Sequence, residues 1–171
     1  MNSIKWKVNT NFSYSLIKEN ILKLYVDAII NPANSQLKHG GGLAKLIKDS
    51  AGADKFQLES DEYIKKYGDI KPGHCGVTSV ADFNRLSGNR YIKYVIHAVG
   101  PIWNGGTENE AEILKLCFNN VFKEAAKLKL YSIAVPPIST GIYKFPKELA
   151  ADIFYDCIAS SPRKMKITQQ E

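Results

Sequence analysis

Three short apolar runs constrain this chain more than any other feature, because each halts at proline or glycine and then gives way to a small-residue loop and a helical pattern. Val26-Asp27-Ala28-Ile29-Ile30 stops at Asn31-Pro32, residues 91–99 stop at Gly100-Pro101, and Ser132-Ile133-Ala134-Val135 runs into Pro136-Pro137. Such runs suit strands buried on both faces. The first loop leads to a helix carrying Leu43, Leu46, Ile47 and Ala51 on one face, with Gly52 near its end. A second helix is predicted over 54–67, closed by Gly68-Asp69, with a turn at Lys71-Pro72-Gly73. After the loop Asn104-Gly105-Gly106-Thr107, residues 110–128 read as the clearest helix, with Leu114, Cys117, Phe118, Val121, Phe122 and Ala125 on its inner side. The third loop leads to a helix starting near Pro146 that carries Leu149, Ile153, Cys157 and Ile158 inward.

Before the first run, residues 4–8 alternate apolar and polar, Asn9-Thr10-Asn11 signals a turn, and 12–17 form a returning strand. Met165-Lys166-Ile167 predicts the start of a last strand. Strands alternating with helices give a single three-layer α/β/α sandwich over residues 1–171, with a mixed, largely parallel sheet covered on both faces. In such sheets the ligand crevice lies beyond the carboxyl ends of the strands.

Two loops fall at such ends, residues 31–42 and 136–143, and both run into helices. The run Gly40-Gly41-Gly42 lets backbone approach a ligand closely, and the first turn of the next helix offers free N–H groups and a favourable dipole. The segment from Ser139 to Tyr143 supplies a second set of main-chain donors and two hydroxyls. Two donor sets on neighbouring strand ends suit a diphosphate better than one phosphate. The P-loop lysine is missing after the glycines, and the Rossmann Gly-x-Gly-x-x-Gly is absent. Glycines that merely make a tight turn are the competing explanation. No Ser-His-Asp, Cys-His or paired-carboxylate set is tied to these loops, so hydrolysis would need a water positioned by the ligand or by an amide such as Asn34.

Composition narrows the partners. The net charge of +6 favours anionic ligands, yet the lysines are spread out, and Arg163-Lys164-Met165-Lys166 reads as a solvated tail rather than a nucleic-acid arm. No apolar run is long enough to cross a bilayer and no signal peptide is evident. Cys75, Cys117 and Cys157 are far apart, and His39, His74 and His97 are scattered, which predicts an intracellular, reducing compartment (cytoplasmic, nuclear or both), no disulfides and no metal. His97 reads as a structural histidine. His39 is equally suited to touching a ribose and to facing solvent. Cys117 and Cys157 read as core, Cys75 has nothing to activate it, Trp103 is favoured as a packing residue over a cleft cover, and Asn31 is expected to brace its loop.

Taken together, residues 26–34, then Leu37-Lys38-His39-Gly40-Gly41-Gly42-Leu43-Ala44, residues 94–101, and Pro136-Pro137-Ile138-Ser139-Thr140-Gly141-Ile142-Tyr143-Lys144-Phe145-Pro146 resemble the macro domain family in order and over nearly the whole chain. The Leu-Lys-His-Gly-Gly-Gly form is most similar to viral macro domains and to those fused to ADP-ribosyltransferases. The resemblance implies ADP-ribose and ADP-ribosylated proteins as partners, a monomer and no cofactor. It places Asn34 on the distal ribose, with Ala33, Gly41, Gly42 and Leu43 beside it. Ser139, Thr140, Gly141 and Ile142 would offer N–H groups to the diphosphate, Tyr143 would lie against the distal ribose, and Asn20 and Ile21 would serve the adenine. In hydrolytic members a phosphate-bound water is thought to attack the anomeric carbon, so Asn34, Gly41 and Tyr143 would set geometry without transferring a proton.

Three departures accompany the resemblance. Where the family usually has Gly-Asp-Ile, this chain has Glu19-Asn20-Ile21, so an uncharged amide replaces the carboxylate that accepts from adenine. One hydrolase branch carries an Asp just after its glycines, and here the sequence is Leu43-Ala44-Lys45. The family continues past a last strand into a terminal helix, whereas this chain stops at Gln169-Gln170-Glu171, at or before the end of that strand, so a complete last strand and the helix are expected to be lacking. The expected functions are a mono-ADP-ribosyl-protein hydrolase or O-acyl-ADP-ribose deacylase, alternatively a non-catalytic reader, and, least favoured, a nucleic-acid-binding domain suggested by charge alone.

Overall fold

Successive residues of the central strands point to opposite faces, and both faces are buried. The computed structural model describes residues 3–7, 12–89, 91–161 and 165–170. Its strands are β1 (Ser3–Lys7), β2 (Phe12–Ile17), β3 (Ala28–Pro32), β4 (Cys75–Ser79), β5 (Tyr94–Ala98), β6 (Ser132–Val135) and β7 (Met165–Gln170). Its helices are α1 (Gly42–Ser50), α2 (Ala53–Tyr67), α3 (Phe83–Ser87), α4 (Glu110–Lys127) and α5 (Lys147–Ser160). Ile29, Val95 and Ala134 pack with Ile47, Phe56 and Phe83 of α1, α2 and α3. Ala28, Ile30, Ile96, Ile133 and Val135 pack with Leu114, Phe118, Val121, Phe154 and Ile158 of α4 and α5 on the other face. This is the predicted three-layer sandwich.

The sheet order is β1-β2-β7-β6-β3-β5-β4. The pairs β2·β7, β7·β6, β6·β3 and β3·β5 are parallel, while β1 and β4 pair antiparallel at the two edges. Consequently β2, β3, β5 and β6 all end on the same side of the molecule, and β3 and β6 are direct neighbours there.

Several sequence expectations need correction. The last strand is present: β7 lies between β2 and β6. β4 and α3 are elements that the sequence pattern does not announce. In α1 the buried residues are Ala44 and Ile47, and Leu46 is exposed. In α5 the inward side carries Ala150 and Phe154 with Cys157 and Ile158, and Leu149 faces outward. The turn at Asn9-Thr10-Asn11 and the basic residues Arg163 and Lys164 lie outside the described residues.

Candidate functional site

β3 delivers the first loop directly from the core. Asn31 is fully buried, and its Nδ2 donates to His97 Nδ1 at 3.0 Å and to His39 Nδ1 at 3.3 Å. The far nitrogens of the rings are also satisfied. Ser60 Oγ donates to the Phe56 carbonyl (3.0 Å), so it accepts from His39 Nε2–H at 2.9 Å. Thr78 Oγ1 donates to the Ser79 carbonyl (3.1 Å), so it accepts from His97 Nε2–H at 2.9 Å. One buried chain of hydrogen bonds thus ties α2, the first loop, β3, β5 and β4 together. The two imidazoles stack 5.3 Å apart, and Phe56 lies against both. His39 is therefore buried and hydrogen-bonded at both ring nitrogens, and does not face solvent. It anchors the residue next to Gly40 in the core.

Both histidines are held neutral. Burial, then the charges of Lys48 and Lys38 opposed by Asp61, push His39 down to about 4. Burial, then His39 itself, pushes His97 down to about 3. An unfolded histidine titrates near 6.5. Between that pH and the folded values the unfolded chain binds more protons, so stability falls as pH drops below about 6.5 and levels off near 3 to 4. Each histidine contributes up to about 1.4 kcal/mol per pH unit within its window. Denaturant unfolding at neutral pH and at about pH 5 should show a clear loss at the lower value, and equal midpoints would contradict neutral, network-bound rings.

The rest of the first loop is stitched down residue by residue. Leu37 is fully buried at φ 52°, a left-handed conformation that a leucine rarely adopts. It packs with Ala33, Ile70 and Val99. Its carbonyl accepts from Gln57 Nε2 at 3.0 Å, and the Ser35 carbonyl accepts from Ile70 N–H at 2.9 Å. Asn34 braces the turn with its own side chain: Nδ2 donates to the Lys38 carbonyl (2.7 Å) and Oδ1 accepts from Lys38 N–H (2.9 Å). An amide has two donors and two acceptor lone pairs, so one of each remains for a ligand, and Asn34 is exposed.

Beyond Asn34 the glycines leave room. A Cβ on Gly40, Gly41 or Gly42 would meet nothing within 4 Å. Gly41 is extended (φ −160°) and caps α1, whereas Gly42 sits at φ 56°, where glycine is favoured. The first intrahelical bond is Lys45 N–H to the Gly41 carbonyl. The N–H groups of Gly42, Leu43 and Ala44 are therefore free to bind an anion at the start of α1.

The other strand-end loop, residues 136–143 and the second of the candidate site, leaves β6 on the adjoining strand end. Ser139 is buried at φ 65°, Lys144 stands at φ 57°, and the loop is closed by Phe145 N–H to the Ser139 carbonyl and Lys144 N–H to the Gly141 carbonyl, both 3.0 Å. Left-handed conformations at non-glycine residues cost about 1–2 kcal/mol each, and such strain concentrates at functional sites. Among the described residues the N–H groups of Ser139, Gly141, Ile142 and Tyr143 have no acceptor. Thr140 departs from expectation: its N–H and hydroxyl both turn back onto the Pro137 carbonyl, at 3.3 and 2.9 Å. Ile142 is 92% exposed, and Tyr143 is half-buried, its carbonyl tethered by Trp103 N–H at 2.9 Å. Trp103 packs edge-on against Phe145, as favoured from sequence.

Gly100, at the end of the run ending in Gly100-Pro101, carries a requirement that sequence reasoning missed. A Cβ there would lie 2.1 Å from Ser139 Oγ and 2.7 Å from Ile138 Cγ2. The glycine lets the second loop settle against β5, and only its place before Pro101 hinted at a role.

On the adenine side expected from sequence, Asn20 follows β2 at the same end of the sheet, about 10 Å from β6 across β7. Its Oδ1 accepts from Leu22 N–H at 2.9 Å, leaving one lone pair and the amide nitrogen open. Ile21 is fully buried, so only its main chain can meet a ligand. An apolar cavity of about 390 Å³ opens between β2 and α5, walled by Leu16, Pro137, Thr140, Phe154 and Tyr155, with Lys147 as its one charged wall.

Other candidate chemistry is weak. Burial pushes the Cys75 thiol up to about 12, helped by Glu124, and the Cys157 thiol up to about 11, and it raises Cys117 further. None of these is an activated nucleophile. Among the described residues no cluster of His, Cys, Asp and Glu could hold a metal, and no helix is long and apolar enough to cross a membrane.

The Macro domain family model matches residues 30–154. An uncharacterised Thermotoga maritima protein is 45% identical over 84% of this chain, which spans 22% of that protein's length. The O-acetyl-ADP-ribose deacetylase of Enterobacter cloacae is 37% identical over 90% of this chain and 83% of its own. The structure of the Oceanobacillus iheyensis macrodomain with ADP superposes with a TM-score of 0.85 at 26% identity, covering 99% of this chain and 87% of that one.

Proposed function

The chain belongs to the macro domain family, and from that premise we propose that its cleft binds ADP-ribose and hydrolyses it from modified proteins. The observation that carries this reading is the placement of the two loops: they leave β3 and β6, which are parallel neighbours, at the same end of the sheet. The diphosphate takes the open N–H groups of Ser139, Gly141, Ile142 and Tyr143 on one side and the start of α1 on the other. The distal ribose lies against Asn34, Gly41 and Tyr143, and Asn34 uses the donor and the acceptor that Lys38 leaves free. Asn20 accepts from the adenine amino group through its remaining lone pair.

The hydrolysis is substrate-assisted. His39 and His97 are buried, neutral and fully hydrogen-bonded, so neither serves as a base. A water held by the ligand's own phosphate attacks the anomeric carbon as that carbon's ester bond breaks, the carboxylate of the modified side chain leaves, and the ligand phosphate takes up the water's proton. Asn34, Gly41 and Tyr143 hold the carbon in line. Similarity to the Enterobacter O-acetyl-ADP-ribose deacetylase supports a deacylase or hydrolase over a pure reader.

Asn34→Ala is expected to lower turnover about 100-fold, the cost of a misplaced reacting centre. It should weaken ADP-ribose binding about 10-fold through the lost hydrogen bonds. Loss of ADP-ribose from a mono-ADP-ribosylated protein, followed by mass spectrometry, measures the first effect. Unchanged turnover would remove Asn34 from the mechanism. Tight binding by the natural sequence with no release of ADP-ribose would make the protein a reader.

A further inference from the structure

At the opposite end of the sheet, each of three adjacent strands is preceded by an apolar residue flanked by a lysine and a tyrosine, in reversed order before β5. Lys23-Leu24-Tyr25 precedes β3, Tyr91-Ile92-Lys93 precedes β5, and Lys129-Leu130-Tyr131 precedes β6. In each triplet the middle residue is buried, and the tyrosine and lysine flanking it are exposed. Tyr131, Tyr25 and Tyr91 are 81%, 74% and 59% exposed. Leaving rings of this size in water forfeits apolar burial, so the touching pair Tyr25 and Tyr91, with Tyr131 at the start of the neighbouring strand β6, marks a contact surface more than chance does.

The backbone that carries them is also held in place. Asn89 Nδ2 donates to the carbonyls of Leu22 (3.2 Å) and Leu24 (3.1 Å), and Asn89 Oδ1 accepts from Tyr91 N–H at 3.0 Å. This clamp sets Tyr25 and Tyr91 edge-to-face, with centroids 4.8 Å apart. Asp27 holds the backbone beneath Tyr131. Its carboxylate accepts from Tyr131 N–H at 2.9 Å and from Ser132 N–H at 3.0 Å, and Lys93 Nζ lies 3.2 Å away. Rigid backbone under exposed rings reduces the ordering cost of a ligand that stacks on them.

The charge at this surface is positive. Lys23 and Lys129 are exposed and make no ion pair among the described residues, and Lys93 shares Asp27, whose carboxylate is mostly occupied by the hydrogen bonds above. Exposed aromatic rings for base stacking, with lysines spaced among them for phosphates, are the elements of a platform for single-stranded nucleic acid. We propose that the Tyr25–Tyr91–Tyr131 surface with Lys23, Lys93 and Lys129 binds a single-stranded nucleic acid, independently of the cleft at the other end of β3. The five residues of β3 separate the two by about 17 Å. A bound strand would place the cleft near modified proteins assembled on the same nucleic acid.

The test is fluorescence anisotropy with a labelled oligouridylate of about 12 nucleotides at low salt, since uracil presents no adenine to the cleft. The expected results are saturable binding that weakens steeply with salt, and a loss of about 10-fold for each ring removed in Tyr25→Ala and Tyr131→Ala. Lys23→Glu with Lys129→Glu should lower affinity and flatten the salt slope, and saturating ADP-ribose should change nothing. Circular dichroism and ADP-ribose titration of the same variants establish that they fold. The proposal is overturned by absence of oligonucleotide binding, by competition with ADP-ribose, or by folded tyrosine variants that bind as well as the natural sequence. A dimer that Tyr131→Ala converts to monomer, with no oligonucleotide binding, would instead make the patch a self-association surface.

Discussion

Replacing Gly41 by valine is expected to cut the release of ADP-ribose from a modified protein by about 100-fold while leaving thermal unfolding unchanged. Effects on fold and on ligand separate at this position. Gly41 has φ −160°, extended backbone that valine adopts readily, and a Cβ at this position meets no protein atom within 4 Å. The added methyls therefore project into the space that the proposed distal ribose occupies, between Asn34 and Tyr143. Displacing the anomeric carbon by even about 1 Å costs roughly two orders of magnitude in rate. Gly42→Val is a poorer probe, because its φ of 56° adds backbone strain to any steric effect. Turnover by Gly41→Val equal to that of the natural sequence would show that the reacting sugar lies elsewhere.

The second large effect falls on stability. Asn31→Leu removes the one side chain that donates to both histidine rings, leaving His39 Nδ1 and His97 Nδ1 buried without partners. An orphaned buried acceptor costs about 1–3 kcal/mol, so a total near 3 kcal/mol is expected. For a domain of this length that lowers the melting temperature by about 10 °C. One fact works in the opposite direction: Asn31 Oδ1 is itself buried without a partner, so leucine removes one unsatisfied atom while creating two. The pair of orphaned rings outweighs it. Because His39 adjoins Gly40, ADP-ribose affinity should fall together with stability. An unchanged melting temperature would mean that the network is incidental to the fold.

Much of the architecture was legible in the chain. The runs at 26–30, 91–99 and 132–135 supplied three central strands, and the spacing of Leu114, Phe118, Val121 and Ala125 supplied the inner side of α4, because burial on two faces and one face leaves distinct periods. β4 was hidden because Gly76 interrupts its apolar pattern. That glycine is needed because a Cβ would lie 2.6 Å from the ring of Tyr63, a contact set by folding and invisible locally. Helix phase misleads where a large apolar residue stands beside a small one: the spacing points Leu149 inward, and the smaller Ala150 takes the buried position.

The site was legible at the level of loops and less so at the level of atoms. The glycines and the Ser-Thr-Gly segment identified the two donor sets, since loop composition reports backbone access. Which N–H groups stay open depends on turn closure, and Thr140 N–H is spent on Pro137. The burial of His39 depends on Asn31 and Ser60, the latter 21 residues away in sequence. The self-bracing of Asn34 on Lys38 likewise emerges only from the folded turn.

If two neighbouring strand ends present main-chain donors to one pyrophosphate-bearing sugar nucleotide, isothermal titration of the protein with free ADP-ribose reads that out most directly. One saturable site is expected, with heat that is abolished by excess ADP-ribose added beforehand and reduced by Asn34→Ala. A flat titration of folded protein would contradict the account.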